Sequence, residues 1–216
     1  MFWITGLFNS LAFAAILFLL AAGFSLIFGL MRVANLTHGA FFMLGGYLAT
    51  SATGFGFAAG IFAAGLGCAL LGGLVQHFLI RRLAGKELAQ VLATLGLSFI
   101  IADQCLLIWS GDPIPMSPPH LLQGAARLGP FAFPLYRLCL IVLAAAVAAA
   151  LWIGVERTTL GAKIRAAVDD REMARAMGIP VPWLFTLVFC LGSALAGLGG
   201  ALAAPVMSVY PGLDTE

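Results

Sequence analysis

The chain has 216 residues, of which 62% are hydrophobic and only 9% charged, with a mean hydropathy of +1.06 and a formal net charge of +2. A soluble domain carries about a quarter charged residues, so too little polar surface is present to enclose a core in water, and a soluble globular protein is excluded. The small net charge, with basic residues confined to loops between apolar runs, excludes nucleic acid as a partner and leaves membrane lipid as the surroundings.

A helix crossing a bilayer takes about 20 apolar residues. The first run, from about Gly6 to Leu30, carries no charge and ends at Arg32. No Lys or Arg precedes Arg32 and the run is too long for a signal-peptide core, so a cleaved leader is not expected. A second segment follows in MRVANLTHGAFFMLGGYLATS, whose apolar part, His38 to Thr53, is short. The third runs from about Phe57 to Ile80 and stops at Arg81 and Arg82; the fourth spans about Val91 to Trp109. The loop SGDPIPMSPPHLLQGAARLGPFAF carries five prolines, which rule out a continuous helix. A fifth run covers about Pro134 to Val155, and after a charged stretch a sixth covers Trp183 to about Ala204. The predicted fold class is all-α, a polytopic transmembrane helical bundle with about six spanning segments in one domain, residues 1–216.

Basic residues orient it. With the ends of segments one, three and five inside, the inner side collects Arg32, Arg81, Arg82, Lys86, Arg157, Lys163, Arg165, Arg171 and Arg175, against Arg127 and Arg137 outside. Nine against two is a strong positive-inside bias, which places the N-terminus outside. Rows of small residues at four-residue spacing (Gly192, Ala196, Gly200 and Ala204 on segment six, Gly65, Ala69 and Gly73 on segment three) let helix backbones approach closely, within the chain or at a subunit interface. The four cysteines, Cys68, Cys105, Cys139 and Cys190, lie inside apolar runs without metal-site spacing and read as packing residues.

Of the 20 charged residues, nine fall between Glu156 and Arg175, in ERTTLGAKIRAAVDDREMARAMGIPVP. Leu160, Ile164, Ala167 and Val168 fall on one helical face there. Thr158 or Thr159 can cap a first helix, Asp169 with Glu172 forms a second capping pair, and Gly178-Ile179-Pro180 is a stop. Two short helices follow, about Leu160 to Val168 and Asp170 to Met177, either docking a partner or lying on the lipid surface. Asn35, Thr37 and His38, beside Gly39 and the Gly45-Gly46 pair, fit either a broken helix, tolerated in a membrane only where it lines a cavity or is buried in protein, or an interfacial cap. Asp103 and Gln104 lie in segment four; an intramembrane carboxylate points to function, for instance binding a substrate ammonium, but Asp103 is close enough to the outer end to snorkel. Thr94 either lines the inner part of a path or bonds its own helix. His77 and His120 read as solvated. No nucleophile–base pair, phosphate-cradling loop or metal cluster is legible, so neither an enzyme nor a bound cofactor is expected.

The charged stretch resembles the coupling loop of ATP-binding-cassette importer permeases, specifically the branched-chain amino acid (LIV-type) permease family. GFSLIFGLMRVANLTHGAFFMLGGYLA, VLATLGLSFIIADQCLLIWSGDP and TLVFCLGSALAGLGGALAAP resemble three further stretches of that family in the same order. The resemblance implies a permease subunit for branched-chain or other small amino acids in the bacterial cytoplasmic (inner) membrane. It further implies a second homologous permease, two cytoplasmic ATPases and a periplasmic solute-binding protein. Its coupling loop, residues 156–182, would engage an ATPase through Leu160, Ile164, Arg165, Asp169, Glu172, Ala174 and Gly178, and Asn35, Thr37, His38, Thr94, Asp103 and Gln104 would border the substrate path. A same-family permease for urea, short amides or aromatic acids fits as well; an ion-coupled secondary transporter would need paired buried charges, and only Asp103 qualifies. No Walker motif is present, so ATP would be hydrolysed on another chain. Two departures stand out: members usually continue for about two more helices, so the chain is short at its C-terminus, and a position often acidic in the family is Ala40 here.

Overall fold

The uncharged opening of the chain folds as one 30-residue helix, α1 (Phe2–Met31), about 45 Å long at ~1.5 Å per residue. A computed structural model describes residues 2–31, 34–128 and 131–213. In order, α1 is followed by α2 (His38–Ser51), α3 (Phe57–Val75), α4 (Glu87–Trp109), the strands β1 (Ala125–Leu128) and β2 (Phe131–Pro134), α5 (Leu135–Glu156), α6 (Thr159–Asp169), α7 (Arg171–Ala176) and α8 (Val181–Met207). A π-helical turn, Gln76–Ile80, and a 3-10 turn, Arg81–Leu83, extend α3. Apart from the antiparallel β1–β2 hairpin and one isolated bridge, Ile114 to Val209, the described residues are helices and turns, as the all-α reading expects. The hairpin falls in the proline-rich stretch and is not foreseen by it.

Helix α8 is the post around which the bundle is built. It packs against α1, α2 and α3 together, and its Gly192, Ser193, Ala196, Gly197, Gly200, Ala201 and Ala204 are all buried. The small-residue rows therefore serve packing within the chain. A Cβ on Gly200 would lie 1.7 Å from the carbonyl oxygen of Phe42, and one on Gly45 would lie 2.2 Å from that of Gly197. Both are far inside van der Waals contact, so α2 and α8 touch backbone to backbone. Helices α4 and α5 are peripheral: α4 leans on α2 and the turn after α3, and α5 on α1 and α6. Their ends are pinned by polar clasps. Trp109 Nε1 donates to Ser51 Oγ at 2.7 Å and stacks on Tyr47, while Tyr136 OH donates to the Leu202 carbonyl at 2.7 Å.

Among the described residues, five helical stretches are long and apolar enough to cross a membrane: Thr5–Met31, Phe57–Leu83, Glu87–Trp109, Leu135–Glu156 and Val181–Met207. The second expected crossing is different. Helix α2 has 14 residues, about 21 Å, short of the ~30 Å hydrocarbon core. It is also among the most buried elements, with Phe41, Met43, Tyr47 and Ala49 fully enclosed. Its C-terminal Ser51 meets the Trp109 end of α4, but its first residue, His38, lies beside Leu20, in the middle of α1. The passage is thus completed by the non-helical residues 34–37 that precede it, and the second crossing is part turn, part helix.

The ends of α1 and α3 and the starts of α4 and α7 surround one cavity, so these connections share one end of the bundle. Arg81, Arg82, Lys86, Arg157, Lys163, Arg165, Arg171 and Arg175 sit in or beside them. Arg137 is at the opposite end, where it donates to Asn9 Oδ1. Arg32 lies outside the described residues.

Candidate functional site

Backbone that leaves helical geometry inside a bilayer has to find partners within the protein, because hydrocarbon supplies none. Residues 34–37 meet that demand with their own side chains and one neighbour. Asn35 Oδ1 accepts the Thr37 amide at 3.2 Å, an Asx-type turn, and the Asn35 carbonyl accepts the His38 amide at 3.3 Å. Thr94 of α4 holds the segment from the side: its Oγ1 accepts the Leu36 amide at 3.2 Å, and its carbonyl accepts Thr37 Oγ1 at 2.8 Å. Thr94 Oγ1 also donates to its own helix at Val91, one of its two expected roles. His38 Nε2 pairs with the Leu20 carbonyl at 2.9 Å, which makes Nε2 the protonated nitrogen and leaves Nδ1 an acceptor. The edge of the Phe24 ring closes against the imidazole at 5.8 Å.

Two buried polar atoms of this segment stay without a partner among the described residues: Asn35 Nδ2, a donor, and His38 Nδ1, an acceptor. Both residues line a groove of about 420 Å³ whose other walls are apolar, from Leu17, Leu20, Ala21 and Phe24 of α1. Helix α1 ends 11 residues beyond Leu20, so the groove sits about 16 Å from its C-terminal end, near the middle of a membrane-crossing helix. An amide and an imidazole beside an aliphatic wall suit a small solute with a polar head and an apolar tail.

Of the expected path residues, the structure brings Asn35, Thr37, His38 and Thr94 together and leaves Asp103 and Gln104 apart. Asp103 follows Thr94 by nine residues, two and a half turns, so it emerges on the opposite side of α4. Asp103 and Gln104 are exposed there, away from the groove. His77 and His120 are exposed, as expected.

The charged stretch forms two capped helices with a bend between them. Thr158 Oγ1 accepts the Gly161 amide at 3.0 Å and opens α6. The second cap is Asp170, not Asp169: its Oδ1 accepts the amides of Glu172 and Met173 at 2.9 and 3.0 Å. A carboxylate reaches the amides two and three residues on from this position, whereas Asp169 is still the last residue of α6 and is exposed. Gly178, at φ +80°, ends α7 with paired bonds from its own amide to Arg175 and from Ile179 to Ala174, the Schellman arrangement. One face is pinned to the bundle through Gly161, Ile164, Ala167 and Ala174; Leu160, expected on that face, is instead exposed.

Arg165 donates to the Val155 carbonyl at the end of α5 and pairs with Glu156 at 3.9 Å, both half-exposed, so it fixes α6 to the end of α5. An exposed pair of this kind adds no more than about 1 kcal/mol. Three residues not singled out by pattern reading matter here. Arg171 Nη2 donates to the Met31 carbonyl at 3.1 Å and its guanidinium lies 4.8 Å over the Phe185 ring, so it joins the loop to the ends of α1 and α8. Met173 of α7 and Met177, the residue that caps its end, are 59% and 76% exposed and lie about one turn apart. Their i, i+4 spacing was the available signal.

A family profile for the branched-chain amino acid transport system permease component matches residues 6–214. The chain is 22% identical over 209 residues to the high-affinity branched-chain amino acid transport system permease protein BraD of Pseudomonas aeruginosa, covering 90% of this chain and 68% of the relative. It is 23% identical over 219 residues to the LivH proteins of Salmonella typhimurium and Escherichia coli, named as permease proteins of the same system, covering 94% of this chain and 70% of each. No solved structure matches it significantly. The match over nearly the whole length, on a bundle of membrane-crossing helices, places the chain in the branched-chain amino acid transport system permease family.

Proposed function

We propose that this chain is the membrane-spanning permease subunit of an ATP-binding-cassette importer that carries branched-chain or other small amino acids into the cell by alternating access. It is a multi-pass protein of the bacterial cytoplasmic membrane with its N-terminus outside, an orientation supported by the basic residues gathered at the opposite end. It works with a second homologous permease, two cytoplasmic ATPases and a periplasmic solute-binding protein. The substrate passes the mid-membrane groove, where Asn35 and His38 meet its polar head and the α1 wall its aliphatic part. Residues 156–182 are the coupling loop.

The observation that carries this reading is the build of α6 and α7. They are capped at each start, stopped by a left-handed glycine, and pinned by one face, while Leu160, Met173 and Met177 stand exposed among Asp169, Glu172 and Arg175. A protruding apolar pair ringed by charges has the make-up of a docking surface, and methionine adapts well to a partner's groove. The test co-expresses the permease with its ATPases and measures co-purification and ATP-dependent uptake of labelled leucine. Placing aspartates at Met173 and Met177 is expected to reduce both at least tenfold with the permease still folded, and removing Arg165 and Asp169 together is expected to reduce them less. Undiminished uptake in both variants would sink the coupling role.

A further inference from the structure

The mid-membrane groove is apolar apart from Asn35 and His38. At the inner end lies a cavity of a different character, about 180 Å³, walled by Gln76, Ile80, Glu87, Gln90, Arg171 and Phe185, among others. We infer that this cavity is a second, cytoplasm-side site for a free zwitterionic amino acid, with Arg171 taking the carboxylate and Gln76 and Glu87 the ammonium. The inference rests on the reading of the chain as an amino acid importer's permease and on the orientation proposed above.

Its volume equals roughly six waters, at about 30 Å³ each, the scale of one small amino acid rather than a peptide or nucleotide. Its polar equipment is incomplete as it stands. Gln76 is 5% exposed and its Oε1, an acceptor, has no partner among the described residues. Such an atom is unfavourable in a buried position unless something else meets it. Gln90, 6% exposed, reaches the Ile80 carbonyl only at 3.5 Å. Gln76 opens the π-helical turn at the end of α3, a departure from α-helical register that recurs at functional sites. Arg171, which lines the same cavity, uses one guanidinium nitrogen on the Met31 carbonyl and its flat face on Phe185. That leaves further donors of the planar fork, and no carboxylate of the described residues pairs with it. Glu87, exposed at the start of α4, adds negative charge to the same lining. A guanidinium, a carboxylate and an unpartnered amide oxygen around one cavity complement the two ends of a zwitterion, and Ile80 and Phe185 offer an apolar seat for its side chain.

Such a ligand would bridge three elements that otherwise meet loosely: α7 of the coupling loop through Arg171, the π-turn through Gln76, and the start of α4 through Glu87. Occupancy stabilises the arrangement in which the loop is held against the bundle. Accumulated amino acid in the cytoplasm therefore slows further uptake through this permease.

The test uses the assembled importer in proteoliposomes with ATP and a chosen leucine concentration on the ATPase side, together with equilibrium binding of labelled leucine to the permease in nanodiscs. Wild type is expected to bind leucine, with 3-methylbutanoate and 3-methylbutylamine, its carboxylate-only and amine-only analogues, each at least tenfold weaker. Internal leucine is expected to slow the initial uptake rate severalfold. Gln76→Leu and Glu87→Gln are each expected to weaken binding about tenfold and relieve the inhibition, with the uptake rate at zero internal leucine unchanged. Glu87 is exposed, so its variant folds whatever Gln76→Leu does. Inhibition that persists undiminished in Glu87→Gln, or half-analogues that bind as well as leucine, overturns the proposal, as does uptake that internal leucine never slows. Zwitterion binding that depends on Glu87 in a protein that imports no amino acid would keep the site and overturn the transport reading instead.

Discussion

Replacing Thr94 by valine tests how the broken crossing is held. Valine matches threonine in shape, so the change removes a hydroxyl and leaves the packing nearly untouched. The Leu36 amide, 3.2 Å from Thr94 Oγ1, then has no partner in a segment where bilayer hydrocarbon offers none. An unsatisfied amide costs about 1–3 kcal/mol. Thr37→Val removes the mirror bond, Thr37 Oγ1 to the Thr94 carbonyl at 2.8 Å, but that carbonyl lies within α4 and keeps the helix as its partner. Its cost is that of one net hydrogen bond, about 0.5–1.5 kcal/mol. With ~2–4 °C of midpoint per kcal/mol for a chain of this size, thermal unfolding in detergent should show Thr94→Val losing roughly 4–8 °C and Thr37→Val less than half of that. Thr94→Ser should stay near wild type because it keeps the hydroxyl. A Thr94→Val protein as stable as wild type, or a Thr37→Val protein that is the less stable of the two, would refute the clasp.

Four other changes probe separate parts. Gly200→Ala places a methyl 1.7 Å from the Phe42 carbonyl and should abolish a monodisperse peak in size-exclusion chromatography, since the α2–α8 backbone contact cannot widen locally; Gly96→Ala, with nothing within 4 Å, should leave it unchanged. Asp170→Ala should destabilise α7 by about 1 kcal/mol, seen as faster amide exchange at Glu172 and Met173, whereas Asp169→Ala should change neither amide. Gly178→Ala forces a Cβ into φ +80° and should cost about 1–2 kcal/mol in the loop, read as reduced co-purification of the ATPase, with Gly178→Asn falling between. Asp103→Asn, on the outward side of α4, should leave leucine uptake and its half-saturation unchanged; a tenfold rise in half-saturation would return Asp103 to the substrate path.

The helices were legible because an apolar run with a charged end is written locally. The runs expected at about Gly6 to Leu30 and Pro134 to Val155 correspond to α1 and α5 within a few residues at each end. The small-residue rows were legible as close packing, but not which helices they join: Gly200 meets Phe42 some 158 positions away, and spacing along one helix carries no record of its neighbour. The hairpin was hidden because prolines excluded helix without naming an alternative. Helix α2 read as a short segment because half of its crossing is polar, and that shortness was the signal of the composite passage. Asn35, Thr37 and His38 were readable as chain that needs partners. That Thr94 supplies two of those partners depends on α4 lying alongside, a long-range fact.

The same distinction explains the loop. Caps are local, so two helices and a glycine stop could be read there, and the cap was displaced only from Asp169 to Asp170 because two adjacent aspartates offer the same chemistry and the exit geometry of α6 chooses between them. Arg171 could not be found by such reading, since its partners are Met31, 140 residues earlier, and Phe185 on the next helix. Yet Arg171 is where the loop meets the bundle. Helix α8 leaves the loop three residues after Gly178 and is then locked to α1, α2 and α3 by glycine contacts too close to slide. A displacement of α7 therefore reaches the groove by two rigid routes: through Arg171 into α1, which forms the apolar wall, and through α8 into α2, whose first residue is His38. Helix α4, which holds the segment through Thr94, is clasped to α2 at its Trp109 end, so it follows α2 rather than α1. On the proposed coupling reading, motion driven at the loop shifts α1, the apolar wall of the groove, relative to the α2–α4 pair. A double electron–electron resonance label pair across α1 and α4 should report that change on ATP binding, and an invariant distance with active uptake would require a different moving part.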